Sequence, residues 1–153
     1  MCSSDLGVPH ITATLFYVTG DGQALTAVRR EVPLAEGPVA QGKQILSAQT
    51  EPAPDGMLSA IPRGTLIRGF YVTPQGDAFV DLSAEAATGH PGGSTAELLT
   101  VYALVNAVTA NLPAVRRVQI LIDGKEADTL AGHVDLRRPL ERDASLVRAA
   151  ASR

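Results

Sequence analysis

The residues best suited to chemistry are few, and most sit in the second half of the chain. Ser94 follows His90 across a glycine-rich stretch, Gly89-His90-Pro91-Gly92-Gly93, and is the only local pairing of a hydroxyl nucleophile with a base. A nucleophilic hydrolase needs those two and an orienting third group within hydrogen-bond reach. No nucleophile-elbow sequence surrounds Ser94. Ser94-Thr95-Ala96-Glu97 instead fits a capping box, in which Ser94 and Glu97 satisfy the free amides at a helix start. His133 and Asp135 fall on one side of an extended segment, with His90 as a distant third ligand for a metal, but this spacing matches no strong metal motif. Asp81 and Asp123 are candidates for an acid/base pair across a sheet; an Asp123-Gly124 dipeptide is better read as a turn. The glycine-rich stretch before a helix start invites an anion, since helix amides point outward there. The P-loop lysine is missing, however, and Glu97 already holds the favourable dipole position. Three basic doublets, Arg29-Arg30, Arg116-Arg117 and Arg137-Arg138, are scattered among acids and read as solvated faces or as contacts for an acidic partner. These patterns assign no catalytic, cofactor-binding or metal-binding residue.

The elements that must position these side chains follow from periodicity. Ile11 to Val18 is β-branched and aromatic, apolar on both faces, and reads as a central strand. Gly20-Asp21-Gly22 turns the chain into a second strand, Leu25 to Leu34, whose central charges mark an accessible edge. Glu36 to Gln49, with Pro38 near its start, predicts a helix. Thr65 to Thr73 and Asp77 to Leu82 flank Pro74-Gln75-Gly76 as a hairpin. Leu98, Tyr102, Val105 and Val108 share helical spacing up to Pro113, with Val101 and Leu112 beside that stripe. Arg116 to Asp123 alternates as a strand, and Glu126 to Leu130 is a candidate short return. The predicted order is β-β-α-β-β-α-β, with a short final strand as an option. That order implies a single two-layer α/β (α+β) sandwich, a mixed β-sheet with two helices packed on one face.

Composition narrows the functional classes. The chain has 153 residues, a net charge of -3 and no Trp, so neither an electrostatic pull toward nucleic acid nor a stacking platform is expected. Its single cysteine, Cys2, excludes an internal disulfide and a zinc knuckle, and no hydrophobic segment precedes it as a lipoprotein signal would require. The longest apolar stretch, Leu98 to Leu112, is too short and too polar to span a membrane. Met1-Cys2-Ser3-Ser4-Asp5-Leu6 resembles translated adaptor read-through, so residues 1–10 are expected to be disordered and non-native, with a natural membrane anchor missing from this chain. Residues 141–153, charged and Ala-rich, are expected to form a frayed tail.

Several segments in fixed order carry a family resemblance. They are Leu15-Phe16-Tyr17-Val18, Ala60-Ile61-Pro62-Arg63-Gly64-Thr65, Ala78-Phe79-Val80-Asp81-Leu82-Ser83, Gly92-Gly93-Ser94-Thr95-Ala96-Glu97 leading into Tyr102-Ala103-Leu104-Val105-Asn106, and Val118-Gln119-Ile120-Leu121-Ile122-Asp123-Gly124. The ending Thr129 to Leu136, followed by Arg137-Arg138-Pro139-Leu140, adds to them. Over residues 11–140 the chain resembles the GerMN domain of sporulation and spore-germination proteins. The resemblance implies a fold like that of ring-building motifs, and an extracytoplasmic place in the periplasm or at the outer face of the cytoplasmic membrane. It implies a non-catalytic scaffold, not an enzyme, that meets other envelope proteins or itself; the edge strand Leu25 to Leu34 is the expected contact. The alternatives are a module that binds cell-wall fragments through the glycine-rich loop, and a hydrolase.

Overall fold

The apolar, β-branched run at the start forms strand β1, His10–Val18, and the chain returns antiparallel as β2, Leu25–Pro33. The computed structural model describes residues 9–148. The expectations for residues 1–8 and 149–153 lie outside it; of the segment expected to be disordered, His10 already begins β1. Helix α1, Gly37–Gln49, starts with Pro38 in its first turn, where a missing N–H costs nothing. Strands β3, Ile67–Val72, and β4, Asp77–Leu82, make the second hairpin. A single helical turn, α2, Glu85–Thr88, precedes the long α3, Ser94–Asn111. Strand β5, Arg117–Ile122, then lies parallel to β4, and β6, Lys125–Glu126, closes an antiparallel turn on it. That turn is Asp123-Gly124, with φ of 55° and 81°, the two-residue geometry that suits the twist of a hairpin.

The α+β class, the order of elements and a mixed sheet, β3-β4-β5-β6, match the expectation. Unlike in the expected arrangement, β1 and β2 form a separate two-stranded sheet. The helices join the two sheets: α1 touches β1, β2 and β3, α3 touches β1 and β5, and the helices touch each other. Gly42 lets α1 lie directly on the mixed sheet, because a Cβ there would stand 2.2 Å from the Phe70 ring.

Helix α3 also departs from the single stripe expected for it. Leu98 and Tyr102 are only half-buried, while Leu99, Val101, Ala103, Leu104, Val105, Ala107 and Val108 are all buried. A helix apolar around most of its circumference belongs inside the molecule, and here two sheets require it there.

Because β1 stands apart from the mixed sheet, its free edge needs other partners. Side-chain amides supply them. The Phe16 N–H donates to Gln49 Oε1 at 2.9 Å, and Gln49 Nε2 donates to the Phe16 carbonyl at 2.6 Å. Asn111 repeats the pattern at Thr14, accepting at 2.9 Å and donating at 2.8 Å, and the backbone of Leu58 pairs with Val18. Gln49 ends α1 and Asn111 ends α3, so one residue from each helix imitates a neighbouring strand.

The segment 141–148 differs from the frayed tail expected there. Asn106 brackets the backbone of Asp143 with two hydrogen bonds, a short 3-10 turn spans Ala144–Leu146, and Val147 bridges to Leu25. The buried Asn106 amide needs such partners, which gives this stretch of tail a reason to dock.

Replacing Gln49 by Leu keeps much of the volume but strands two buried backbone groups of Phe16. A loss of about 2–4 kcal/mol is expected in urea unfolding, since each stranded group costs roughly 1–3 kcal/mol. A loss below about 0.5 kcal/mol would show that the amide bridge is not what closes β1.

Candidate functional site

His90 and Ser94, the hydrolase candidates, do not meet. His90 Nδ1 accepts the Gly92 N–H at 2.9 Å, which leaves Nε2 to carry the proton and donate to Thr100 Oγ1 at 3.0 Å. The Thr100 hydroxyl in turn donates toward the Ala60 carbonyl at 2.7 Å. Nδ1 therefore folds the glycine-rich loop on itself, and Nε2 holds it against α3. Ser94 is exposed in the first turn of α3.

The capping box is also not formed among the described residues. Gly93 is the N-cap of α3 and no side chain caps it. Glu97, fully buried, turns instead to a loop 34 to 37 residues downstream. Its Oε2 accepts the N–H groups of Ala131 and Val134, each at 2.9 Å. Its Oε1 accepts the His133 N–H at 2.9 Å and His133 Nδ1 at 3.1 Å. Four converging donors outweigh one free amide at a helix end. Burial pushes this carboxyl upward, yet the amides of Ala131 and Val134, the His133 ring and the His133 amide together hold it below the usual glutamate value.

The proposed metal ligands are separated in the same way. His133 is tied to Glu97, and His90 to Thr100 and Gly92. Asp135 forms two side-chain bonds to Arg137, which with the Arg137 N–H pull its pKa to about 2. Among the described residues no three His, Cys, Asp or Glu side chains gather as a metal ion would need.

Asp81 and Asp123 do come together, but around a cation. Arg68 stands 3.6 Å from Asp81 and 3.3 Å from Asp123, and Asp81 accepts the Gly124 N–H at 2.7 Å. The pair therefore braces the β5–β6 turn. Beside the glycine-rich loop lies a shallow cavity of about 210 Å³, lined chiefly by Leu58, Ile61, Pro62, Pro91 and Leu99. The polar groups of His90 and Thr100 at its wall are engaged as described, so the loop offers no free anion cradle from these side chains.

Among the described residues, the centre of the outer edge of β2 has no backbone partner. The bonds from Thr19 N–H to Ala24 and from Leu34 N–H to Pro9 fix the alternation of the β1–β2 ladder. Thr26, Val28, Arg30 and Val32 accordingly face β1, while Ala27, Arg29 and Glu31 turn N–H and C=O outward. At one end of this edge the Leu25 carbonyl accepts the Arg148 N–H, and Arg148 is held by Asp21 at 2.9 Å. At the other end Gln41 donates to the Pro33 carbonyl at 3.0 Å and accepts from the Ala35 N–H at 2.9 Å. The side chains of the three central residues are exposed. Sequence charge pattern pointed to this edge; its two closures rest on residues far away in the sequence, which no local pattern reveals.

An α+β fold with this arrangement is shared with solved bacterial proteins. A candidate lipoprotein from Clostridium perfringens is 21% identical, with 94% of each chain covered and a TM-score of 0.62. The first GerMN domain of the sporulation protein GerM from Bacillus subtilis is 18% identical, with 86% of this chain and 98% of that one covered and a TM-score of 0.66. The tandem GerMN domains of the same protein give 18% identity and a TM-score of 0.69, over 88% of this chain and 46% of theirs. No curated protein matches the chain significantly by sequence. The family described as Germane, sporulation and spore germination, matches residues 14–128. The chain belongs to that family.

Replacing Glu97 by Gln turns two acceptor sites toward N–H donors into a repulsive NH₂ contact. A destabilisation of about 1–3 kcal/mol is expected in thermal or urea unfolding, and a neutral substitution would show the loop holds without the carboxylate. Because the folded carboxyl is more acidic than the unfolded one, its contribution is complete above the ordinary glutamate pKa. It is lost as pH falls through the lowered folded value. Stability measured from pH 6 downward is therefore expected to fall less in Glu97→Gln than in the parent; equal acid sensitivity would remove Glu97 as a source.

Proposed function

We propose that this chain is a non-catalytic interaction module of the bacterial cell envelope, acting outside the cytoplasmic membrane and joining a protein partner by strand addition to β2. The observation that carries the reading is that, among the described residues, three residues of β2 turn their backbone groups outward without a partner, between closures at both ends. Main-chain pairing along an exposed edge gives affinity without a preformed pocket. The side chains that first suggested chemistry are engaged elsewhere, in holding loops and turns. The family's link to sporulation and germination, and the likeness to a candidate lipoprotein, favour the envelope. No helix among the described residues is long and apolar enough to cross a membrane.

A photo-crosslinking residue placed at exposed Ala27 is expected to give a discrete adduct in the envelope fraction of the source cells. The same residue at exposed Tyr71, on the other sheet, is expected to give none. Adducts from position 71 alone, or recovery of the protein only from the cytoplasm, would sink the reading.

A further inference from the structure

His90 is the one titratable side chain of the glycine-rich loop, and each of its ring nitrogens has a fixed part. The Gly92 N–H can only donate, so Nδ1, 2.9 Å away, must be bare. The Thr100 hydroxyl directs its single proton to a carbonyl, at 2.7 Å from Ala60 and 2.9 Å from Ala96, and is left to accept from Nε2–H at 3.0 Å. This network admits the neutral ring alone. A second proton, on Nδ1, would point at the Gly92 N–H, donor against donor, and break that contact. The contact to Thr100 survives the change, so its effect falls on Gly92 and not on α3.

The loop has room to respond. Gly92 and Gly93 stand at φ of 89° and 94°, and a Cβ added at either would meet nothing within 4 Å. Pro91, between His90 and Gly92, walls the cavity of about 210 Å³ together with Leu58, Ile61, Pro62 and Leu99. Ile61 and Leu99 are 4% and 2% exposed, so this wall keeps them from water. Among the described residues no charged side chain joins His90 there: α3 brings Ala96, Leu99 and Thr100, β1 brings Val18, and the segment before α2 brings Leu58 to Pro62. Glu97 of α3 is turned to residues 131–134, Glu85 of α2 accepts the Ser83 hydroxyl, and Arg63 is exposed beyond Pro62.

We infer that the glycine-rich loop is an acid-sensitive lid on this cavity, hooked shut by neutral His90 and unhooked when the ring takes its second proton. The lid is independent of strand addition at β2. Closure needs a bare Nδ1, so it is complete above the ordinary histidine range, about pH 6.5, and is lost progressively below it. Unhooking draws Pro91 off the wall and uncovers Ile61 and Leu99, an apolar patch offered only in mild acid.

The test follows the full chain by NMR between about pH 7.5 and 5.5, beside a His90→Asn variant whose side-chain oxygen accepts the Gly92 N–H throughout. In the parent, protection of the Gly92 amide, corrected for the intrinsic exchange rate at each pH, is expected to drop about tenfold, as uptake of one proton one unit below 6.5 requires. In His90→Asn it is expected to stay constant, and the Leu104 amide inside α3 is expected to stay constant in both. A soluble paramagnetic agent is expected to reach the Ile61 and Leu99 methyls of the parent only at the lower pH. Constant Gly92 protection in the parent would overturn the lid, and so would an equal drop in the variant, which would shift the response to His133 or His10. A parent ring carrying its proton on Nδ1 at the higher pH, read from the ring-nitrogen shifts without any variant, would overturn the hook itself. Methyls that stay shielded after Gly92 has lost its protection would overturn the role of the loop as a cover.

Discussion

The fold depends on how the free edge of β1 is closed. A buried strand edge without partners would leave amides and carbonyls dry and unpaired, a cost no small domain sustains over several residues. Here the closure comes from Gln49 and Asn111, the last residues of the two packed helices, with Leu58 completing it. This single requirement fixes where both helices must end relative to the first hairpin. It explains why that hairpin stays apart from the mixed sheet: its inner edge is already occupied by side chains. Among the described residues it also leaves the outer edge of β2 as the longer unpaired run of this sheet.

Glu97 plays the matching part at the other end of α3. Its carboxylate gathers three backbone amides and one imidazole of a loop that has little regular structure of its own. Leu130 and Leu136, buried at either end of that loop, add apolar weight to the same attachment. Structural order in the last third of the chain thus comes from polar side chains on α3: Glu97 holds residues 131–134, and Asn106 holds Asp143.

Much of this was legible in the sequence wherever local pattern decides. Runs rich in β-branched and aromatic residues and their turns located β1 and β4, central charges marked β2, alternation located β5, Pro38 marked the start of α1, and Asp123-Gly124 marked the last turn. The family was legible because several weak segments occur in one order. The partner of Glu97 was not, because serine three residues before glutamate reads equally well as a local cap, and the true donors lie beyond a whole strand. The division into two sheets was hidden for a related reason. Gln49 and Asn111 look like ordinary helix-end polar residues until the backbone of β1 is placed beside them. The open stretch on β2 was half legible: the charges announced an edge, but its limits depend on Gln41 and Arg148.

The buried carboxylate also sets an order of events for folding. Until the Ala131–Val134 turn arrives, a charged Glu97 retains its water, and the first turn of α3 resists burial. The central helix can therefore complete its seat only after nearly the whole chain is available. A chain ending before Ala131 would hold every strand of both sheets and still lack all four donors. The seating of the central helix is thereby tied to residues near the C-terminal end of the described chain.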